Sequence, residues 1–381
     1  MKAGKGYFGW VAVVVVAGLS LASLSVAKCE DDPAQVAKDK LIVETVLRLE
    51  NFDLQGSEKA KSAVVRHLKR NLGTDEFFQL IEKFSIRDLN DDLIQIVLKA
   101  PTETSGVNAA RLLVKLDDGS RIDKVLAGKD SAQAVACATA LGFVGGEAVL
   151  KRLEPILLDS EKPTSLRTAA TAALGRDTIG QKHLLALAKD NKLPPELQFT
   201  AANSLLSSVD DSIRTESKKF LKLPATAGDK PLPPLAELVK LPGDAASGKK
   251  LFQTTGTCAK CHIVNGEGKE VGPNLSEIGT KLPKEAILAS ILDPSAAIAH
   301  NYENFAVVLT SGQIVSGLMV SQTPEAVTLK NAEGIVRSYP TADVEEMKKL
   351  PISLMPADLQ KLLTPQQLVD IADYLTTLKK K

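Results

Sequence analysis

An excess of either charge is missing from this chain. Across 381 residues, 47 lysines and arginines face 46 aspartates and glutamates, so no summed field draws in nucleic acid or an anionic membrane surface. Cysteine is scarce as well, with four in all. That is too few for a disulfide framework, and at 44% hydrophobic content the chain has the means to bury real cores instead. A structural zinc site needs two ligand pairs at short spacing. Only Cys258 and Cys261 are close together; Cys29, Cys137, His67, His183 and His300 stand apart from one another. A thioredoxin-like dithiol would sit between a strand and a helix of a βαβ unit. Here the flanks are helical before and glycine-rich after.

What is present at that point is Cys258-Ala259-Lys260-Cys261-His262. Two thiols separated by two residues, with an imidazole directly after the second, match the needs of covalent haem attachment. The thiols add to the two vinyl groups and the histidine reaches the iron. The motif predicts one covalently attached haem c, held by Cys258, Cys261 and His262.

Residues 1–27 read as an export signal. Lys2 and Lys5 supply the positive start, Val11 to Leu21 the apolar core, and Ser25-Val26-Ala27 the cleavage site. The expected location is periplasmic or otherwise exported, in keeping with a haem that is joined outside the cytoplasm. Left uncleaved, Tyr7 to Ala27 would be long enough to span a bilayer. A lipid anchor on Cys29 would want a small residue before it, where Lys28 stands. Cys137, inside an alanine-rich helical run, is expected to be a small buried apolar residue.

From 32 to 223 the text is helical and repetitive. Ser131 to Asp159, Thr164 to Asp190 and Pro195 to Leu223 look like copies, each with an alanine-rich first helix and a leucine-rich second. A weaker copy starts near Gly106. The period is that of stacked helical hairpins, and the repeats resemble HEAT-type repeats. Such a solenoid offers no catalytic residue and presents a docking surface. His67 and His183 are expected to be solvated or capping residues. Prolines 224, 231, 233, 234 and 242 mark 224–242 as a linker around one short helix, Leu235 to Leu241.

Residues 243–381 are expected to carry the chemistry. Asp244 reads as the cap of one helix, and Thr364-Pro365-Gln366-Gln367 as a capping box opening the last. Between them, Leu282 to Leu292 predicts a helix. Then Phe305 to Thr310, Gln313 to Ser321, Ala326 to Lys330 and Ile335 to Tyr339 read as four short strands, a small barrel or curled sheet inserted at about 303–345. For the sixth iron ligand the residues leave Met319, Met347, Met355 and His300 open. Met319 falls in a strand pattern, and Met347 follows two glutamates on an expected helical turn.

Gly248 and Phe252 before the haem motif, Gly272-Pro273-Asn274-Leu275 after it, Ser353-Leu354-Met355-Pro356 and Tyr374 together resemble the class I cytochrome c fold. With Ser290 to Ser295, Asn301-Tyr302 and Leu363-Thr364 added, residues 243 to 379 resemble the haem-binding domain of Planctomycetes and Verrucomicrobia. The resemblance implies that Gly248, Phe252 and Tyr374 form a helix crossing. It further implies that the Pro273 carbonyl orients His262, and that Met355 is the axial partner of His262 on the iron. In that family helical repeats often precede the domain, sometimes behind a sugar-dehydrogenase-like propeller, which this chain does not have.

The fold expected is therefore mainly α: a HEAT-like solenoid followed by a cytochrome c-like helical domain with a small antiparallel β insert. The function expected is a single-haem electron carrier rather than an enzyme, with redox proteins, a periplasmic dehydrogenase among the candidates, as partners and the membrane involved only through an uncleaved N-terminus. Two other readings use the same residues. One is a haem sensor or peroxidase with an open or displaceable sixth position, and the other is a scaffold in which haem is auxiliary.

Overall fold

The structure is a computed structural model that describes residues 32–49, 51–222, 232–357 and 359–380. The export signal, Cys29 and the linker residues Pro224, Gly228, Asp229 and Pro231 lie outside the described residues. The architecture is mainly helical, with one antiparallel sheet near the C-terminus. No described helix is long and apolar enough to cross a membrane.

Helices follow one another across short connections through the first half, from Pro33–Arg48 and Glu58–Arg70 to Thr178–Lys189. The three copies seen in the sequence fall on Ser131–Val144 with Glu147–Leu158, Thr164–Leu174 with Thr178–Lys189, and Gln198–Leu205 with Asp211–Ser217. Side-chain caps start many of them: Asp130 accepts from Ala132 and Gln133, Asp177 from Gly180, and Asp210 from Ser212 and Ile213. Ala134, Ala138, Ala170, Ala173 and Ala201 are buried on the facing surfaces. Small side chains there let one helix pair approach the next. Cys137 is fully buried among them, and burial pushes its thiol up to about 12.

Of the two roles expected for His67, solvated or capping, the first does not hold, and the residue sits in the last turn of Glu58–Arg70. It is buried, with Nε2 3.2 Å from Glu76, so it is a paired histidine beneath the surface. His183 stays partly exposed beside Glu154, at 2.9 Å.

The second core belongs to the haem-motif region. Leu238, Phe252, Ile287, Leu288, Leu368, Ile371, Ala372 and Tyr374 are among its buried members. Leu232, Leu235, Val239 and Leu241 pack against it. The short helix expected within the linker is observed as Leu235–Leu238, with its leucines packed into this core.

The insert has five strands, not four: β1 (Asn304–Leu309), β2 (Ile314–Gln322), β3 (Ala326–Lys330), β4 (Val336–Pro340) and β5 (Val344–Lys349). Their order is β4-β3-β2-β1-β5, all antiparallel. β5 closes back on β1, where Val307 pairs with Met347. Met347 is accordingly on a strand and not a helical turn, and the insert runs on to 349 instead of ending near 345. Buried Val307, Leu309, Val327, Leu329 and Tyr339 form the cluster on one face, and Met319 and Met347 pack onto it.

Candidate functional site

Two helices frame the site. Ala245–Gln253 begins at Asp244, whose side chain accepts from the Ala246 N–H at 2.8 Å. Pro365–Thr377 begins with a complete capping box, Thr364 and Gln367 each bonding the other's backbone. The two cross where Gly248 has no side chain: a Cβ there would stand 1.9 Å from the Asp370 carbonyl oxygen. Beside the crossing, Phe252 and Tyr374 meet edge to face with ring centres 5.8 Å apart. Both elements follow from local sequence signals, and the crossing is the one that the class I resemblance implied.

The chain leaves the first helix, turns at Thr257 with a φ of 55°, and enters a short 3₁₀ turn over Cys258–Lys260. The N–H groups of Cys261 and His262 both donate to the Cys258 carbonyl, at 3.0 and 2.9 Å. This single turn brings Cys258, Cys261 and His262 together. The segment after it folds back: Val271 and Gly272 donate to the Cys261 carbonyl at 3.0 and 2.7 Å, and Leu275 to that of Ile263 at 2.9 Å. That return places the Pro273 carbonyl oxygen 2.8 Å from His262 Nδ1. Gly272 lies against the ring, where a Cβ would be 2.5 Å from Cε1.

The chemistry of this donor set is specific. With Nδ1–H given to a carbonyl, the imidazole is held in one tautomer, and the lone pair is on Nε2. Nε2 makes no hydrogen bond among the described residues, so it is available to a metal. Burial pushes the imidazole pKa down, with the Pro273 carbonyl acting in the opposite sense, and a neutral ring is the form that ligates. Burial likewise pushes Cys258 up to about 12, and it raises Cys261 as well. Both remain thiols, Cys258 pointing at the Gly256 carbonyl and Cys261 at that of Ala332, each at 3.4 Å. No group of three or more acidic, histidine or cysteine side chains among the described residues could hold a bare metal ion. The residues present therefore fit a haem, whose macrocycle brings its own four nitrogens and takes from the protein two thioethers and axial ligands.

The other candidate ligands are placed apart from one another. Met355 lies in the irregular stretch between β5 and the last 3₁₀ turn, half-buried, its N–H donating to Ser353 Oγ at 3.1 Å. The Ser353 N–H in turn donates to Ser295 Oγ at 3.1 Å, tying this loop to the segment after helix Lys284–Leu292. Met319 and Met347 are engaged in the apolar face of the sheet. His300 is 88% exposed with Nδ1 3.6 Å from Glu303. Sequence reasoning missed Ala332, whose carbonyl meets Cys261. No local signal could have linked residues 71 positions apart.

Residues 245–308 match the cytochrome c family model. The match spans the first helix, the paired cysteines, His262 and Pro273, and it supports a c-type haem-binding domain in this part of the chain. Members of that family hold haem c covalently, which points to haem-based electron transfer. No curated protein matches the chain.

Proposed function

We propose that the chain is an exported single-haem c-type cytochrome that passes electrons between protein partners. Cys258 and Cys261 would hold the haem through thioether bonds, His262 and Met355 would ligate its iron, and the helical repeats would serve as the docking scaffold. The observation that carries this reading is the 2.8 Å contact between His262 Nδ1 and the Pro273 carbonyl, which leaves Nε2 free beside two thiols. Met355 is favoured as the second ligand because Met319 and Met347 are used by the sheet and His300 faces solvent beside Glu303. Haem, when bound, supplies a one-electron iron couple, and a thioether sulfur on the iron favours the ferrous state. With Met355 as ligand the iron would have no open position for a small molecule, and an exposed His300 is poorly placed to act as a buried acid or base for peroxide chemistry.

The test is an optical spectrum of the purified holoprotein, oxidised and reduced, repeated on Met355→Ala with carbon monoxide added. The weak near-infrared sulfur-to-iron band should be present in the parent and lost in the variant, and carbon monoxide should bind only after the substitution. Ready binding by the parent would replace the electron carrier with a sensor or peroxidase. Full spectra with partners captured by the repeats alone would favour a scaffold.

A further inference from the structure

The sheet is wedged between the repeats and the haem motif. On the repeat side, Ile335 is 3% exposed and counts among the repeat core. The Val336 N–H donates to Thr104 Oγ1 at 3.2 Å. Arg337 donates to the Phe143 and Val144 carbonyls, both at 3.1 Å, at the C-terminal end of helix Ser131–Val144, where a cation is favoured by the helix dipole. Ile335 and the first two residues of β4 thus dock on the repeats one after another.

The turn just before them, Asn331–Gly334, faces the haem motif. It is internally braced, because Asn331 Oδ1 accepts from the Glu333 and Ile335 N–H groups at 3.1 and 2.9 Å. Its Ala332 carbonyl stands 3.4 Å from Cys261 Sγ. Lys330, ahead of it, donates to the Glu270 carbonyl at 3.2 Å. A turn braced within itself and clamped on one side transmits its position to the other.

We propose that Ile335, Val336 and Arg337 are positioning residues through which the repeats hold the Asn331–Gly334 turn over Cys261 and so set the polarity around the iron. This rests on the electron-carrier reading above. In the attached state Cys261 Sγ is bonded to the macrocycle, so the turn over that partly exposed sulfur limits the water that reaches the edge joined to it. Keeping water out disfavours the more highly charged ferric state and raises the reduction potential. The repeats are then part of the redox site as well as a docking surface.

The experiment compares the full-length holoprotein with Arg337→Ala and, as a milder change that leaves packing intact, Thr104→Val. Both should keep the covalent haem and its visible spectrum. Both should speed hydrogen exchange at 331–336 and 271–272 several-fold and lower the midpoint potential, Arg337→Ala more than Thr104→Val. Faster exchange with an unmoved potential would overturn the proposal, and so would unmoved exchange. A chain that carries no covalent haem would defeat the electron-carrier reading instead. The clamp is then decided on the haem-free full chain by iodoacetamide: faster alkylation of Cys261, with Cys137 still protected, supports it, and an unchanged rate at Cys261 refutes it.

Discussion

Replacing Gly248 by alanine probes the helix crossing on which the haem-motif region is built. An added methyl would lie 1.9 Å from the Asp370 carbonyl oxygen, 2.5 Å from its carbon and 2.9 Å from Tyr374 Cβ. The first two obstacles are backbone, and no rotamer change can clear them. The helices must part by more than an ångström, which also loosens the Phe252–Tyr374 contact. Overpacking of this kind costs about 1–3 kcal/mol and here falls at the upper end. Alanine's better helix propensity returns up to about 1 kcal/mol. The net loss is about 2 kcal/mol, which at a urea dependence of about 2 kcal/mol per molar lowers the midpoint by about 1 M. Soret absorbance of the holoprotein reports this region without interference from the repeats. Lys249→Ala, on the exposed side of the same helix, should stay within about 0.5 kcal/mol. A Gly248→Ala protein as resistant to urea as its parent would refute the close crossing.

Gly272→Ala should push the imidazole off the Pro273 carbonyl, since the new Cβ would meet Cε1 at 2.5 Å; less covalent haem per chain in a pyridine haemochrome assay is the expected result. Thr364→Ala removes one half of the capping box and should cost about 1 kcal/mol in the same urea assay. Glu82 is held down to about 2, from an ordinary 4.5, chiefly by the Arg111 guanidinium, which donates to both carboxylate oxygens at 2.7 Å. Because its folded pKa is depressed, its stabilising contribution is complete above about pH 5 and is lost as pH falls from 4.5 toward 2. Thermal melts of the parent across that range should fall more steeply than those of Glu82→Gln.

Where chemistry is local, it was legible. The haem motif is five residues that start on one 3₁₀ turn, Cys258–Lys260, and the caps at Asp244 and Thr364 reach only two or three residues along the chain. The Gly248 crossing was accessible through resemblance, because a glycine and two aromatics at set intervals carry it. β5 was not. Val344–Lys349 contains two glutamates and two lysines and is mostly exposed, so its alternation is too weak to mark a strand. It becomes one by pairing with β1, its neighbour in the sheet although β2, β3 and β4 intervene in the sequence. The same pairing takes Met347 into the apolar cluster.

The sequence alone determined that two thiols and an imidazole come together, since they need only a few bonds of intervening chain to do so. It also determined the mainly helical character, because apolar periodicity and capping act within a turn or two. Only the tertiary structure decided what surrounds that chemistry. Ala332 reaches Cys261 because the repeats grip β4 from the other side. Contacts between segments tens to hundreds of residues apart depend on how whole elements pack, and no short stretch of sequence encodes them.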